Sequence, residues 1–81
     1  MDDDRIQDRI ERLVAEEHNL REQEAEEQGF DPAERERLDA IGVELDRCWD
    51  LLRQRRARRE AGLDPDEASA RPADTVEDYL Q

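Results

Sequence analysis

Apolar residues recur along the first third of the chain at Ile6, Ile10, Leu13, Val14 and Leu20, with Glu17 filling the gap on the same stripe. Steps of three and four mark one face of an α-helix, and no stretch alternates as a strand would. The stripe predicts a first helix over about residues 3–28. Asp2, Asp3 and Asp4 stand where a helix dipole favours negative charge, and Gly29 suits a left-handed stop. A second apolar series, Leu38, Ile41, Leu45, Cys48 and Leu52, keeps a strict three-four heptad spacing. Its start is marked by Asp31-Pro32-Ala33-Glu34, which offers an N-cap acceptor, a proline at the first helical position and a capping-box glutamate. Phe30, just before that cap, can lay its ring on the start of the helix or on Leu38. Gly62 and Leu63 have the form of a glycine cap followed by a hydrophobic contact, so the second helix is predicted over about 32–61.

A connection of about three residues makes the two helices antiparallel. The predicted fold is therefore all-α: an antiparallel two-helix hairpin over residues 1–63, followed by a short tail over 64–81. Residue numbers facing each other should add up to roughly sixty. On that register Leu20 meets Ile41, Leu13 meets Cys48, Ile10 meets Leu51 or Leu52, and Ile6 meets the stems of Arg55 or Arg56. Asp2, Asp3, Asp4 and Asp8 then come alongside Arg53, Arg55, Arg56, Arg58 and Arg59, each cluster matched to the dipole of its own helix end. In the tail, Asp64-Pro65-Asp66-Glu67 reads as another cap-like start and Arg71-Pro72 as a break. Val76, Tyr79 and Leu80 fall on one side of a short helix, with fraying or docking of Tyr79 and Leu80 as the two alternatives.

Composition makes this hairpin thin. Of 81 residues 35% are apolar, but nine of those are alanine, against 38 charged residues. Val14, Val43, Trp49 and Leu51 cannot all face one partner helix, and left bare they would form an association patch. Pairing into a four-helix bundle is the simplest remedy. A homodimer is thus expected, with Ile10, Leu13, Val14, Leu45, Cys48, Trp49 and Leu52 as packing or dimer residues. A tail-covered monomer and an unidentified protein partner are the alternatives.

The chain carries 25 acidic residues against 13 basic ones, all arginine, for a net charge of −12. That balance disfavours nucleic acid and anionic membranes as partners. No apolar run is long enough to span a bilayer, and the first thirty residues lack the basic start and apolar stretch of a leader. The single cysteine excludes an internal disulfide and fits a reducing cytoplasm.

Candidate chemistry is sparse. Glu16-Glu17-His18, with Glu22 a turn on, lacks the Glu-x-x-His spacing of a bundle metal site, because position 15 is alanine. Cys48 occupies a seam position, where a thiol behaves as a small apolar group. No metal, cofactor or enzymatic activity is expected. The run Arg53-Gln54-Arg55-Arg56-Ala57-Arg58-Arg59 is the feature that suits phosphate, since arginine matches its geometry. It supports an alternative reading as a nucleic-acid accessory protein, with Arg55, Arg56, Arg59 and Tyr79 as candidate partner-binding residues. Neutralisation within or between subunits competes with that role. Gly42, inside the second helix, costs about 1 kcal/mol in propensity, which a close helix approach would explain.

Leu13-Val14-Ala15-Glu16-Glu17-His18 and the string Asp46-Arg47-Cys48-Trp49-Asp50-Leu51-Leu52-Arg53-Gln54-Arg55-Arg56 resemble a short actinobacterial family, domain of unknown function 2630. The ending, Arg71-Pro72-Ala73-Asp74 with Val76-Glu77-Asp78-Tyr79, resembles that family as well. The resemblance covers nearly the whole chain and implies a high-GC Gram-positive origin. It carries no implied activity.

Overall fold

A computed structural model of the chain describes residues 2–27 and 32–72. Two helices, α1 (Asp3–Glu27) and α2 (Pro32–Glu60), pack against each other, and a single 3-10 turn, η1 (Pro65–Glu67), follows. Both helices end within a residue or so of the limits expected from sequence. The turn at Gly29 to Asp31, together with Phe30, lies outside the described residues, as do Val76, Tyr79 and Leu80.

Local chemistry explains the boundaries. The Asp2 carboxylate accepts from the Arg5 amide at 2.9 Å, and the Asp2 carbonyl accepts from Ile6, so Asp2 is the N-cap of α1. Arg58 and Arg59 occupy the last turn of α2, where positive charge suits the dipole. Gly62 adopts φ +75°. The Leu63 amide donates to the Arg58 carbonyl at 2.8 Å and the Gly62 amide to the Arg59 carbonyl at 3.1 Å, a complete Schellman closure. Leu63 itself stays half exposed rather than closing the expected apolar contact.

The core is one seam. Ile6, Ile10, Leu13, Ile41 and Cys48 are buried, with Leu20, Leu45, Leu51 and Leu52 packed around them. The molecule measures 51 × 25 × 15 Å, so it is a single layer of helices. Helix register can be read from ion pairs. Asp3 meets Arg55 and Arg59, near the expected alignment. Arg9 meets Glu44, and Glu16 meets Arg37, about two turns nearer the α2 start than that alignment gives. Ile6 lines a cavity with Cys48 and Leu51 instead of lying only on arginine stems. The true alignment therefore sits a few residues below the expected one, with long side chains spanning the difference.

Beyond Gly62 the chain doubles back along α2. Arg58 donates to the Asp64 carbonyl at 2.6 Å and Arg55 to the Pro65 carbonyl at 3.1 Å. Gln54 donates to the Ser69 carbonyl and Arg47 to the Arg71 carbonyl, each at 3.0 Å. Partners descend along α2 as the strap ascends, so residues 64–71 run antiparallel to it. Four side chains of α2 thus grip main-chain oxygens.

Candidate functional site

Side-chain direction divides the hairpin into two faces. In a pair of antiparallel right-handed helices, a residue that follows a seam position points to the same side from either helix, about 100° round from the seam. Val14 follows Leu13, and Trp49 follows Cys48. They are 47% and 53% exposed, so one face of the hairpin carries two large bare apolar groups. Leu45 and Leu52, partly buried on the core, border the same face. Ile10, Leu13 and Cys48 from the expected packing set are buried between the helices.

The residues that precede a seam position point to the other side, and there the strap lies. Arg47 precedes Cys48, and it bonds both the strap carbonyl of Arg71 and Glu44, the latter at 2.9 Å. Asp50 is only 2% exposed. It accepts from Arg71 at 3.0 Å and Gln54 at 2.9 Å, so both the strap and its own helix supply it with partners. Between helices and strap lies a cavity of about 290 Å³. Its walls are Ile6, Cys48, Leu51 and Ala70, and Arg9, Glu44 and Arg47 form its polar edge.

The arginine run is largely consumed inside the chain. Arg55 is 5% exposed and binds Asp3, Asp66 and the Pro65 carbonyl. Arg58 pairs with Glu67 at 2.7 Å and Arg59 with Asp3 at 3.0 Å. Arg56 is well exposed but pairs with Glu60 along the same helix. Of Asp2, Asp3, Asp4 and Asp8, expected alongside this run, one is seen to pair with it. Asp3 does so, Asp2 caps its helix, and the strap supplies Asp66 and Glu67. Gly62 is the cause, because its turn brings the second acidic cluster within reach. The sequence signal, Gly62 followed by Asp64-Pro65-Asp66-Glu67, was present, but side-chain spacing alone does not say where a reversed chain lies.

The arginines hold carboxylates ionised. Hydrogen bonds from Arg55 and then Arg59 hold the Asp3 carboxyl below its ordinary value of 3.8. Arg37 does the same for Glu16. At Glu44 burial pushes upward, but Arg9 and Arg47 together outweigh it and the net shift is downward. Burial pushes the Cys48 thiol up, which keeps it protonated and unreactive at neutral pH. His18 meets Glu22 at 3.0 Å on an exposed surface, while Glu16 turns to Arg37. Among the described residues no three His, Cys, Asp or Glu side chains stand where they could share a metal ion. No described helix is long and apolar enough to cross a membrane. At Gly42 an added Cβ would meet nothing within 4 Å, so close helix approach inside the hairpin does not account for that glycine.

Residues 2–81 match the family described as Protein of unknown function (DUF2630), and the chain belongs to it. An uncharacterized protein of Mycobacterium tuberculosis is 55% identical over 67 residues, covering 83% of this chain and 77% of that protein. An uncharacterized protein of Mycobacterium bovis matches to the same extent. No solved structure matches the chain.

Proposed function

We propose that this member of the family is a non-catalytic, self-associating helical interaction module, pairing with a second copy through the face that carries Val14, Leu45, Trp49 and Leu52. The observation that carries this reading is the joint exposure of Val14 and Trp49 on the side away from the strap. A hairpin one layer thick has no third helix among its described residues to cover that side. A large aromatic ring beside aliphatic neighbours is the kind of group that dominates interface energetics. Two such faces laid together make a four-helix bundle, the architecture in which helices of this length bury both sides of their seam.

Light scattering at micromolar concentration tests the reading. The expected mass is twice 9.6 kDa, and Leu45→Asp or Trp49→Ala returns it to the single-chain value. A well-folded species of 9.6 kDa at those concentrations would count decisively against self-association. The alternative, nucleic-acid attachment through Arg53 to Arg59, loses ground because Arg55, Arg58 and Arg59 already have carboxylate partners.

A further inference from the structure

Gly42 has no reason to be a glycine inside the hairpin. It stands in the middle of α2, where only proline is a poorer helix former. A Cβ added there would meet nothing within 4 Å. Its place on the helix is more telling. Gly42 follows the buried Ile41 as Trp49 follows the buried Cys48, so both lie on the face away from the strap. Seven residues make two turns less about 20°, which puts the two positions in line, roughly 10 Å apart along the axis.

Leu38, Gly42, Leu45, Trp49 and Leu52 step four, three, four, three along α2. They form a second heptad stripe, which shares Leu45 and Leu52 with the packing around the inner seam. From α1, Val14 stands between Arg9, which meets Glu44, and Glu16, which meets Arg37, so it borders the stretch of α2 that contains Gly42. The face therefore carries a half-exposed indole and, two turns away, a gap with an apolar neighbour.

In a contact between two identical faces, if one residue meets a second, the second meets the first in return. A ring and a gap on one line satisfy that condition when the two copies of α2 run antiparallel, with the two-fold axis midway, beside Leu45. Trp49 of each copy then covers Gly42 of the other, and Leu38 approaches Leu52 of the other copy. The broad side of the hairpin measures 51 × 25 Å, room enough for the ~800 Å² per partner of a standard interface.

We propose that the second copy docks by antiparallel α2–α2 pairing, with Gly42 as the specificity-determining position whose gap receives the Trp49 ring of the other chain. The pairing rests on self-association through the Trp49 face and adds its direction and register. A side chain at position 42 would stand where the ring must lie, which gives a poor helix former its place in mid-helix.

Sedimentation equilibrium of the full chain over a concentration series tests this, with far-ultraviolet circular dichroism at the dilute end to establish that each variant is folded. Gly42→Ala weakens the dimer about tenfold although it improves helix propensity, and Gly42→Trp abolishes it. Ala40→Leu, exposed on the strap side of α2, leaves the dimer unchanged. The exchange of Gly42→Trp together with Trp49→Gly restores it, because ring and gap trade places on a line that reads the same from either copy. A dimer indifferent to both Gly42 variants would overturn the pairing while leaving self-association intact. So would an exchange that associates no better than Gly42→Trp alone. A native chain that stays at 9.6 kDa throughout would remove both.

Discussion

Arg55 of α2 and Asp3 of α1 are bonded to each other at the end of the hairpin opposite its turn. The same guanidinium also takes Asp66 at 3.0 Å and the Pro65 carbonyl at 3.1 Å. One side chain therefore ties both helices and the strap together. Replacing Arg55 with alanine leaves Asp3 and the strap carbonyl without their partner, and the α1 start and the strap should loosen together. Replacing Arg56, which is exposed and among the described residues bonded to Glu60, should change stability by no more than about 0.5 kcal/mol. Urea unfolding of the two variants side by side checks this. Equal midpoints would show that Arg55 does not organise the three segments.

The Asp3 contacts also fix a pH dependence. Hydrogen bonding to Arg55 and Arg59 holds the folded-state Asp3 carboxyl below 3.8. A group depressed in this way adds stability above its unfolded value, and that stability is lost as pH falls through the folded value. The difference in urea midpoint between the native chain and Asp3→Asn should therefore be constant above about pH 5 and shrink steadily below it. Comparing these two proteins cancels the changing repulsion among the other carboxylates. A gap that stays the same from pH 7 to about pH 3 would show that the pairing does not favour the charged form.

Two glycines should respond in opposite ways. Gly62 sits at φ +75°, where a side chain is strained, so Gly62→Ala should cost about 1 kcal/mol and loosen the strap that starts there. Gly42 is mid-helix with open space at the Cβ position, so Gly42→Ala should stabilise the folded single chain by about 0.5–1 kcal/mol. Thermal melts of both variants at low concentration test the pair. If Gly42→Ala melts earlier instead, the glycine is serving a contact outside the hairpin.

These contrasts show which parts of the molecule could be read from residues alone. Pro32, Gly62 and the three-four steps through Cys48 act within a few positions of themselves, so helix limits and the buried seam were legible. The alignment of the helices was only approximately so, because the Arg9–Glu44 and Glu16–Arg37 pairs lie about two turns from the expected register, an offset made of a shifted alignment and the reach of long side chains. The strap was not legible. Arg47, Gln54, Arg55 and Arg58 hold it by carbonyl oxygens that every residue type possesses, and such contacts leave no pattern in the gripped segment. Asp50 was missed for a related reason, since its partner Arg71 reaches it only because the strap doubles back along α2. The excess apolar surface was legible at Val14 and Trp49 because neither could share the seam with Leu13 and Cys48.

Trp49 and Ile6 provide the sharpest separation between folding and association. Ile6 has no exposed surface, and truncating a fully buried isoleucine to alanine costs about 2–5 kcal/mol. That is a large share of the roughly 5–15 kcal/mol available to a small domain, so Ile6→Ala should lose much of its helical circular dichroism. Trp49 is half exposed in the single chain, and Trp49→Ala should leave the helical signal of the monomer nearly intact. Its effect should appear in association, weakening the dimer by about thirtyfold if the ring is a central anchor worth about 2 kcal/mol. Trp49 is the chain's single tryptophan, so its own fluorescence reports the event. Emission should move to shorter wavelength as concentration rises and the ring leaves water. An emission maximum unchanged up to the highest soluble concentration would mean that the Trp49 face stays bare.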